Sequence, residues 1–214
     1  RPIRLIVPEG TVLNRKFPAA SAAGWEITRR VIDVFCKALR EVLGERVPAG
    51  SNGALNQFSF GGPMPEEGRY AVYETMGGGA GAGPDWHGQS GVHTHMTNTR
   101  ITDPEILERR YPVMLCEFSI RKNSGGSGKF KGGDGLVREI EFLEPLNAAI
   151  LSERRVHRPY GLNGGESGKC GRNLFFRKDG STLFLGGKNE IRAEAGERIR
   201  IETPGGGGYG KVDS

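Results

Sequence analysis

Glycine constrains this chain more than any other residue type: it fills 35 of 214 positions and collects in runs. Gly77–Gly83 reads GGGAGAG, and Gly205–Gly208 is four glycines in succession. Such runs have no side chains to bury and lose more backbone freedom on ordering than any other residues. They therefore order only where main chain lies close against something else. The 77–83 run is expected to be a loop whose backbone approaches a partner closely. The 204–210 run is disordered on its own and, if ordered, rests on another part of the protein. Bulky apolar residues are correspondingly few. A core of ordinary size remains possible, with part of the surface covered by the rest of a longer polypeptide.

The stretch Met76–Glu105 adds chemistry to that permissive backbone. It holds His87, His93 and His95, three of the chain's 4 histidines, together with Trp86, read as a pocket wall or loop anchor. Val92–Thr99 is expected to be a strand. Side chains alternate across a strand, so His93, His95, Thr97 and Thr99 would share one face. Imidazole titrates near neutrality and suits general-base or positioning work, and the amides of 77–83, Gly79 and Gly81 among them, can form an anion-binding nest. Next to this reading stands a plainer one, a turn-rich strand whose histidines bond locally. Asp103 followed by Pro104 then marks a helix start, and Pro112 stops it.

Residues 3–7 suggest a short strand. The clearest helix follows, at about 25–43. Ile27, Val31, Phe35, Ala38 and Val42 form one apolar stripe expected to pack inward, while Arg29, Arg30, Asp33 and Lys37 supply the wet side. Ser21 is the expected N-cap and Gly44 the left-handed C-cap. Downstream, Phe58–Phe60 and Tyr70–Tyr73 flank a turn. Met114, Cys116, Phe118 and Ile120 alternate as the inward row of a strand. Strands at 136–144 and 148–155 follow, the latter carrying Glu153-Arg154-Arg155, where Arg154 can clamp a carboxylate. A hairpin turns at Asp179-Gly180, and a last strand turns Ile199 and Ile201 inward. The fold class expected is α+β and β-rich, with mostly antiparallel strands, one long amphipathic helix (about 25–43) and a short helix (about 104–111). Residues 1–50 form a helical lead-in, and 51–214 the β-rich, site-bearing part.

Several classes are excluded. The net charge of +5 is dispersed, with no block of like charge to hold nucleic acid. No apolar run approaches the ~20 residues of a membrane span, so a soluble chain is expected. Cys36, Cys116 and Cys170 are isolated, which speaks against a disulfide scaffold or zinc finger and for a reducing, cytoplasmic setting. Gly168-Lys169 fails as a phosphate loop because Asn163 and Cys170 occupy the positions of the required Gly and Ser/Thr. Two strand histidines alone do not make a metal site, so no metal ligands are assigned.

Four phrases carry a resemblance: SGVHTHMTNTRITDPEILERRYPV (90–113), SGGSGKFKGGDGLVRE (124–139), ERRVHRPYGLNGGESG (153–168) and TPGGGGYG (203–210). Together they resemble the hydantoinase B / 5-oxoprolinase family, and the TRITDPEILE wording is similar to its ATP-hydrolysing branch. The resemblance implies that residues 1–214 are the C-terminal part of a hydantoinase B-type region in a longer chain. It implies opening of 5-oxo-L-proline to L-glutamate with ATP hydrolysis, in glutathione metabolism. ATP and Mg would bind outside these residues, in a hydantoinase A-type region of the same polypeptide, and the enzyme would be a cytoplasmic homo-oligomer, a homodimer. N-methylhydantoinase-type hydrolysis and a non-catalytic docking or oligomerisation module are the alternatives. Opening an activated lactam needs a water activator and donors for developing negative charge. The residues with suitable chemistry are His93 and His95 as catalytic groups, with Gly79, Gly81, Asn98, Arg100 and Arg154 as substrate-binding groups.

Overall fold

The computed structural model describes residues 4–20, 24–64 and 68–212. In chain order the elements are α1 (Gly24–Leu43), a 3-10 turn (Gly44–Arg46), β1 (Gln57–Met64), β2 (Gly68–Glu74), α2 (Pro104–Arg110), β3 (Val113–Arg121), β4 (Gly135–Phe142), β5 (Leu146–Leu151), β6 (Arg172–Phe176), β7 (Thr182–Phe184), β8 (Lys188–Ala193) and β9 (Arg198–Glu202). Two sheets result, ordered β2-β1-β5-β8 and β3-β4-β9-β6-β7. Every strand pairing is antiparallel. The β-rich α+β expectation, with its two helices, holds.

Local chemistry accounts for the element ends. Asp103 Oδ1 accepts the Glu105 N–H at 3.0 Å and Pro104 opens α2, the capped start read from the sequence. Gly44 ends α1 at φ +59, a backbone region that costs other L residues about 1 kcal/mol. Between β6 and β7, Gly180 takes φ +84 and Asp179 Oδ1 accepts the Ser181 N–H at 2.8 Å, giving the expected hairpin.

Both sheets feed one apolar core. Phe58, Phe60, Val72, Ala148 and Ile150 come from the first sheet. Ile140, Phe142, Phe175, Ile199 and Ile201 come from the second, and α2 adds Leu107. Each such side chain contributes about 1.5–3 kcal/mol by leaving water. One ion pair crosses this core: Arg138 of β4 meets Glu74 of β2 in a two-point contact, Nε–Oε2 3.1 Å and Nη2–Oε1 3.1 Å.

Outside the candidate site, the structure departs from expectation in three elements. Residues 4–7 form no strand, and the rest of that proposed segment lies outside the described residues. In β3, the register shifts between Leu115 and Glu117. One extra residue reverses the alternation, so Phe118 turns toward Arg138, whose guanidinium carbon lies 5.2 Å from its ring centroid. Met114, Cys116, Phe118 and Ile120 are all exposed, and Cys116 is not an inward hydrophobe. The third departure is α1. A surface helix ordinarily turns its apolar stripe inward, but here Glu26, Arg29 and Asp33 are buried while Val31, Val34, Phe35 and Val42 are exposed. The charged face goes in because other segments supply matching charges and carbonyls to it. Ser21, the expected cap, lies outside the described residues.

Beside the sheets, the glycine runs build a second kind of interior. The amides of Gly205, Gly206, Gly207 and Gly208 donate in turn to Lys169 O (3.2 Å), Gly133 O (2.8 Å), Gly50 O (2.8 Å) and Glu166 O (2.8 Å). Three successive donors thus reach three different neighbouring segments, and the fourth returns to the first. That is the threefold period of an extended, polyproline II-like chain, which makes no internal hydrogen bonds. In the other direction Gly126, Ala82 and Leu162 donate to the carbonyls of Gly206, Gly207 and Gly208. A Cβ on Gly206 would sit 1.9 Å from Ala80 O, and one on Gly207 1.9 Å from Tyr160 O. Only glycine permits this spacing. Residues 203–209 are buried throughout, resting on other main chain as the composition required.

Candidate active site

The Val92–Thr99 stretch is not a strand. Val92 makes one bridge to Gly78, and the chain then turns at 95–96 with His95 at φ +59. The turn separates the two histidines, which therefore share no face. His93 sits between two hydroxyls, with Nδ1 3.2 Å from Thr97 Oγ1 and Nε2 3.0 Å from Thr99 Oγ1. Thr99 Oγ1 also hydrogen-bonds Thr75 Oγ1. Burial, and then the nearby Arg29 guanidinium, lower the His93 pKa below its ordinary value, so the ring is neutral at physiological pH. Thr75, Thr97, Asn98 and Thr99 line a cleft of about 270 Å³ together with Trp25, Leu55, Tyr73 and Met96. Arg100 is exposed and takes no part in that lining.

His95 turns the other way, to Asp33 on the inward face of α1. Its Nε2 lies 3.2 Å from Asp33 Oδ1, while Arg154 Nη2 (2.7 Å) and Arg30 Nη2 (2.8 Å) hold Oδ2. The Tyr160 hydroxyl donates to the Asp33 carbonyl at 3.0 Å. Burial alone would raise the Asp33 pKa, but the hydrogen bond from His95 and the charges of Arg30 and Arg154 outweigh it and hold the carboxyl below its ordinary value. Arg154 does clamp a carboxylate, though an internal one. β5 ends at Leu151, so Arg154 is on a loop at φ +61 rather than on a strand, a conformation costing on the order of 1 kcal/mol. Burial lowers the neighbouring Arg155 to about 9, and its guanidinium bonds Asn56 Oδ1 (2.7 Å) and Asn173 Oδ1 (2.8 Å). Arg29 Nη1 donates to Thr94 O at 3.0 Å, and Glu26 Oε1 accepts the Leu55 N–H at 2.8 Å. Glu26 is pushed up by burial.

Of the residues singled out from sequence, Asn98 lines the cleft and His93 stands behind its threonines, while His95 and Arg154 meet at Asp33. Gly79 and Gly81 meet neither group: their amides donate to Pro204 O (2.9 Å) and Ser51 Oγ (3.0 Å). Gly78, Ala80, Ala82 and Gly83 are likewise engaged, so this run is scaffold rather than an anion nest. Sequence reasoning placed Arg29, Arg30 and Asp33 on the wet side of α1 and passed over Thr75 and Glu26. The usable signal was the mixture of signs on one helical face, since Glu26, Arg29, Arg30 and Asp33 recur at three- and four-residue spacing. Among the described residues no three His, Cys, Asp or Glu side chains gather to hold a metal ion, and no glycine amides of 78–83 are free to cradle phosphate. No helix among the described residues is long and apolar enough to cross a membrane.

Comparison with known proteins agrees with the phrases noted in the sequence. The chain is 51% identical over 210 residues to 5-oxoprolinase 1 of Arabidopsis thaliana, which covers 98% of this chain and 16% of that protein. It is 47% identical over 214 residues to the 5-oxoprolinase of Dictyostelium discoideum, covering 100% and 16%. The fold matches the crystal structure of an ATP-dependent caprolactamase from Pseudomonas jessenii with a TM-score of 0.83 and 27% identity, over 96% of this chain and 38% of that one. The chain thus spans about a sixth of the length of these 5-oxoprolinases. A family model described as hydantoinase B/oxoprolinase matches residues 1–212, and the chain belongs to that family.

Proposed function

We propose that this chain is part of an ATP-dependent 5-oxoprolinase, and that it handles the activated lactam while ATP and Mg bind in a hydantoinase A-type region of the same polypeptide. The observation that carries this reading is the 51% identity to a 5-oxoprolinase along 98% of the chain. The cleft supports it. Its 270 Å³ suits a small cyclic amide, just below the range of drug-sized pockets, and a neutral imidazole stands behind its threonine wall. His93 takes a proton from the attacking water and returns one to the leaving ring nitrogen. His95 has a different role: it fixes Asp33, Arg30 and Arg154, which hold α1 and Trp25 at the cleft edge. The enzyme works in the cytoplasm.

In the full-length enzyme, His93→Ala is expected to abolish conversion of 5-oxoproline to glutamate without changing the melting temperature by more than a few degrees. His95→Ala is expected to lower that temperature. Turnover surviving His93→Ala would favour a second reading, a docking or oligomerisation module, for which the exposed apolar arc of α1 speaks. Comparing 5-oxoproline with hydantoins as triggers of ATP hydrolysis separates the branches. A faster response to hydantoins would assign the chain to N-methylhydantoinase-type chemistry instead.

A further inference from the structure

We propose that Thr99 is a catalytic residue, the hydroxyl through which His93 reaches the cleft, with Thr75 as its positioning partner. This inference rests on the role given to His93 above. His93 itself does not line the cleft, whereas Thr75, Thr97 and Thr99 do. Any proton that moves between the imidazole and a molecule in the cleft therefore passes a threonine.

The hydrogen-bond network accommodates the direction that such a relay needs. The single Thr97 hydrogen has two acceptors in reach, His93 Nδ1 at 3.2 Å and the Thr94 carbonyl at 3.4 Å. Donation to the carbonyl leaves Thr97 Oγ1 to accept from Nδ1–H, and this makes Nε2 the acceptor. Thr99 then donates to Nε2 at 3.0 Å and accepts from the Thr75 hydroxyl. In this arrangement, which runs from Thr75 through Thr99, His93 and Thr97 to the Thr94 carbonyl, Thr97 and Thr99 each donate once and accept once, and Thr75 donates. Such a pairing of hydroxyl, base and base-orienting group is the geometry of an activated hydroxyl. Thr75 is buried, so its hydroxyl is held in place, while Thr99 is exposed to the cleft.

The step balances without a further reagent. As a water oxygen bonds to the activated carbonyl carbon, its proton passes to Thr99 Oγ1 and the Thr99 proton passes to His93 Nε2. When the ring C–N bond breaks, the imidazolium returns its proton to Thr99, and Thr99 passes one to the departing nitrogen. The new carboxyl keeps the activating group when the C–N bond breaks, and a second water releases that group in a separate step; His93 and Thr99 end the ring opening in their starting protonation states.

The test uses full-length enzyme with 5-oxoproline and ATP. Thr99→Val is expected to lower kcat at least 100-fold while KM stays within about threefold, since positioned acid–base groups contribute 10²–10⁴ in rate. Thr99→Ser keeps the hydroxyl and is expected to recover most of kcat. Thr75→Val is expected to lower kcat about tenfold. Thermal melting of each variant separates misfolding from lost chemistry, and Thr99→Ser decides if Thr99→Val does not fold. Loss of activity in His93→Ala with full activity in Thr99→Val would sink the relay and spare the role of His93. Full activity in both would remove the role of His93 as well.

Discussion

Replacing Gly206 by Ala tests whether the glycine runs are a packed interior rather than loops. The added Cβ would stand 1.9 Å from Ala80 O, 2.3 Å from Ala80 C and 2.8 Å from Gly81 N. All three are backbone atoms and cannot rotate away, so the segments must part by roughly 1.5 Å to reach ordinary contact. Three hydrogen bonds span that gap: Gly206 N–H to Gly133 O (2.8 Å), Gly133 N–H to Ala80 O (2.9 Å) and Ala82 N–H to Gly207 O (2.9 Å). A buried hydrogen bond contributes about 1 kcal/mol net, and a buried group left unpaired costs about 1–3 kcal/mol. The substitution should therefore destabilise the chain by about 3–5 kcal/mol, a large share of the ~5–15 kcal/mol typical of folded domains. Gly24→Ala is the control: a Cβ there meets nothing within 4 Å, and in a helix Ala is favoured over Gly by up to about 1 kcal/mol. Urea unfolding of both variants gives the difference. A Gly206→Ala midpoint within about 1 kcal/mol of the parent would refute the packed interior.

Asp33→Asn removes the charge that Arg30, Arg154 and His95 share, and loss of one partner in a buried ion cluster costs about 3–5 kcal/mol. Because the folded carboxyl titrates below its ordinary value, its contribution is complete above that ordinary value and is lost as pH falls through the depressed folded value. The variant's stability should accordingly fall less steeply in acid, and parallel acid-unfolding curves would contradict the assignment. Glu74→Gln leaves the Arg138 guanidinium buried without its carboxylate and should cost a similar amount. Replacing both partners by Met should cost clearly less than the sum of the single changes, a difference that urea midpoints of the three variants would reveal.

Much of the fold was legible because its signals are local. Asp103-Pro104, Asp179-Gly180 and Gly44 each act within a few residues of themselves, and helices and hairpins formed where they pointed. The errors share a different origin. The alternation of Met114 to Ile120 is real in the sequence, but the bulge in β3 splits the row, leaving Met114 and Phe118 on opposite faces, and nothing in the residue pattern marks a bulge. The stripe of α1 is equally real, yet the helix turns it outward because Asp33 finds Arg154 121 residues away and Arg29 finds Thr94 65 residues away. Pairings at such distances leave no periodicity to read. The histidine segment stands out as a candidate site, but its geometry depends on a left-handed His95, a conformation more common for histidine than for most residues and invisible to an alternation count. His93 is a candidate by its chemistry alone, whereas Thr75 is not, since a threonine hydroxyl acquires meaning only beside a base.

The interior formed by residues 203–209 and their neighbours is made of peptide groups rather than hydrocarbon. Exposing apolar surface on unfolding raises the heat capacity, whereas exposing polar surface lowers it. These segments should therefore add little to the unfolding heat capacity, and the curve of stability against temperature should be flatter than a chain of this length would suggest. Cooling, which weakens hydrocarbon cores, would leave this part of the protein comparatively untouched.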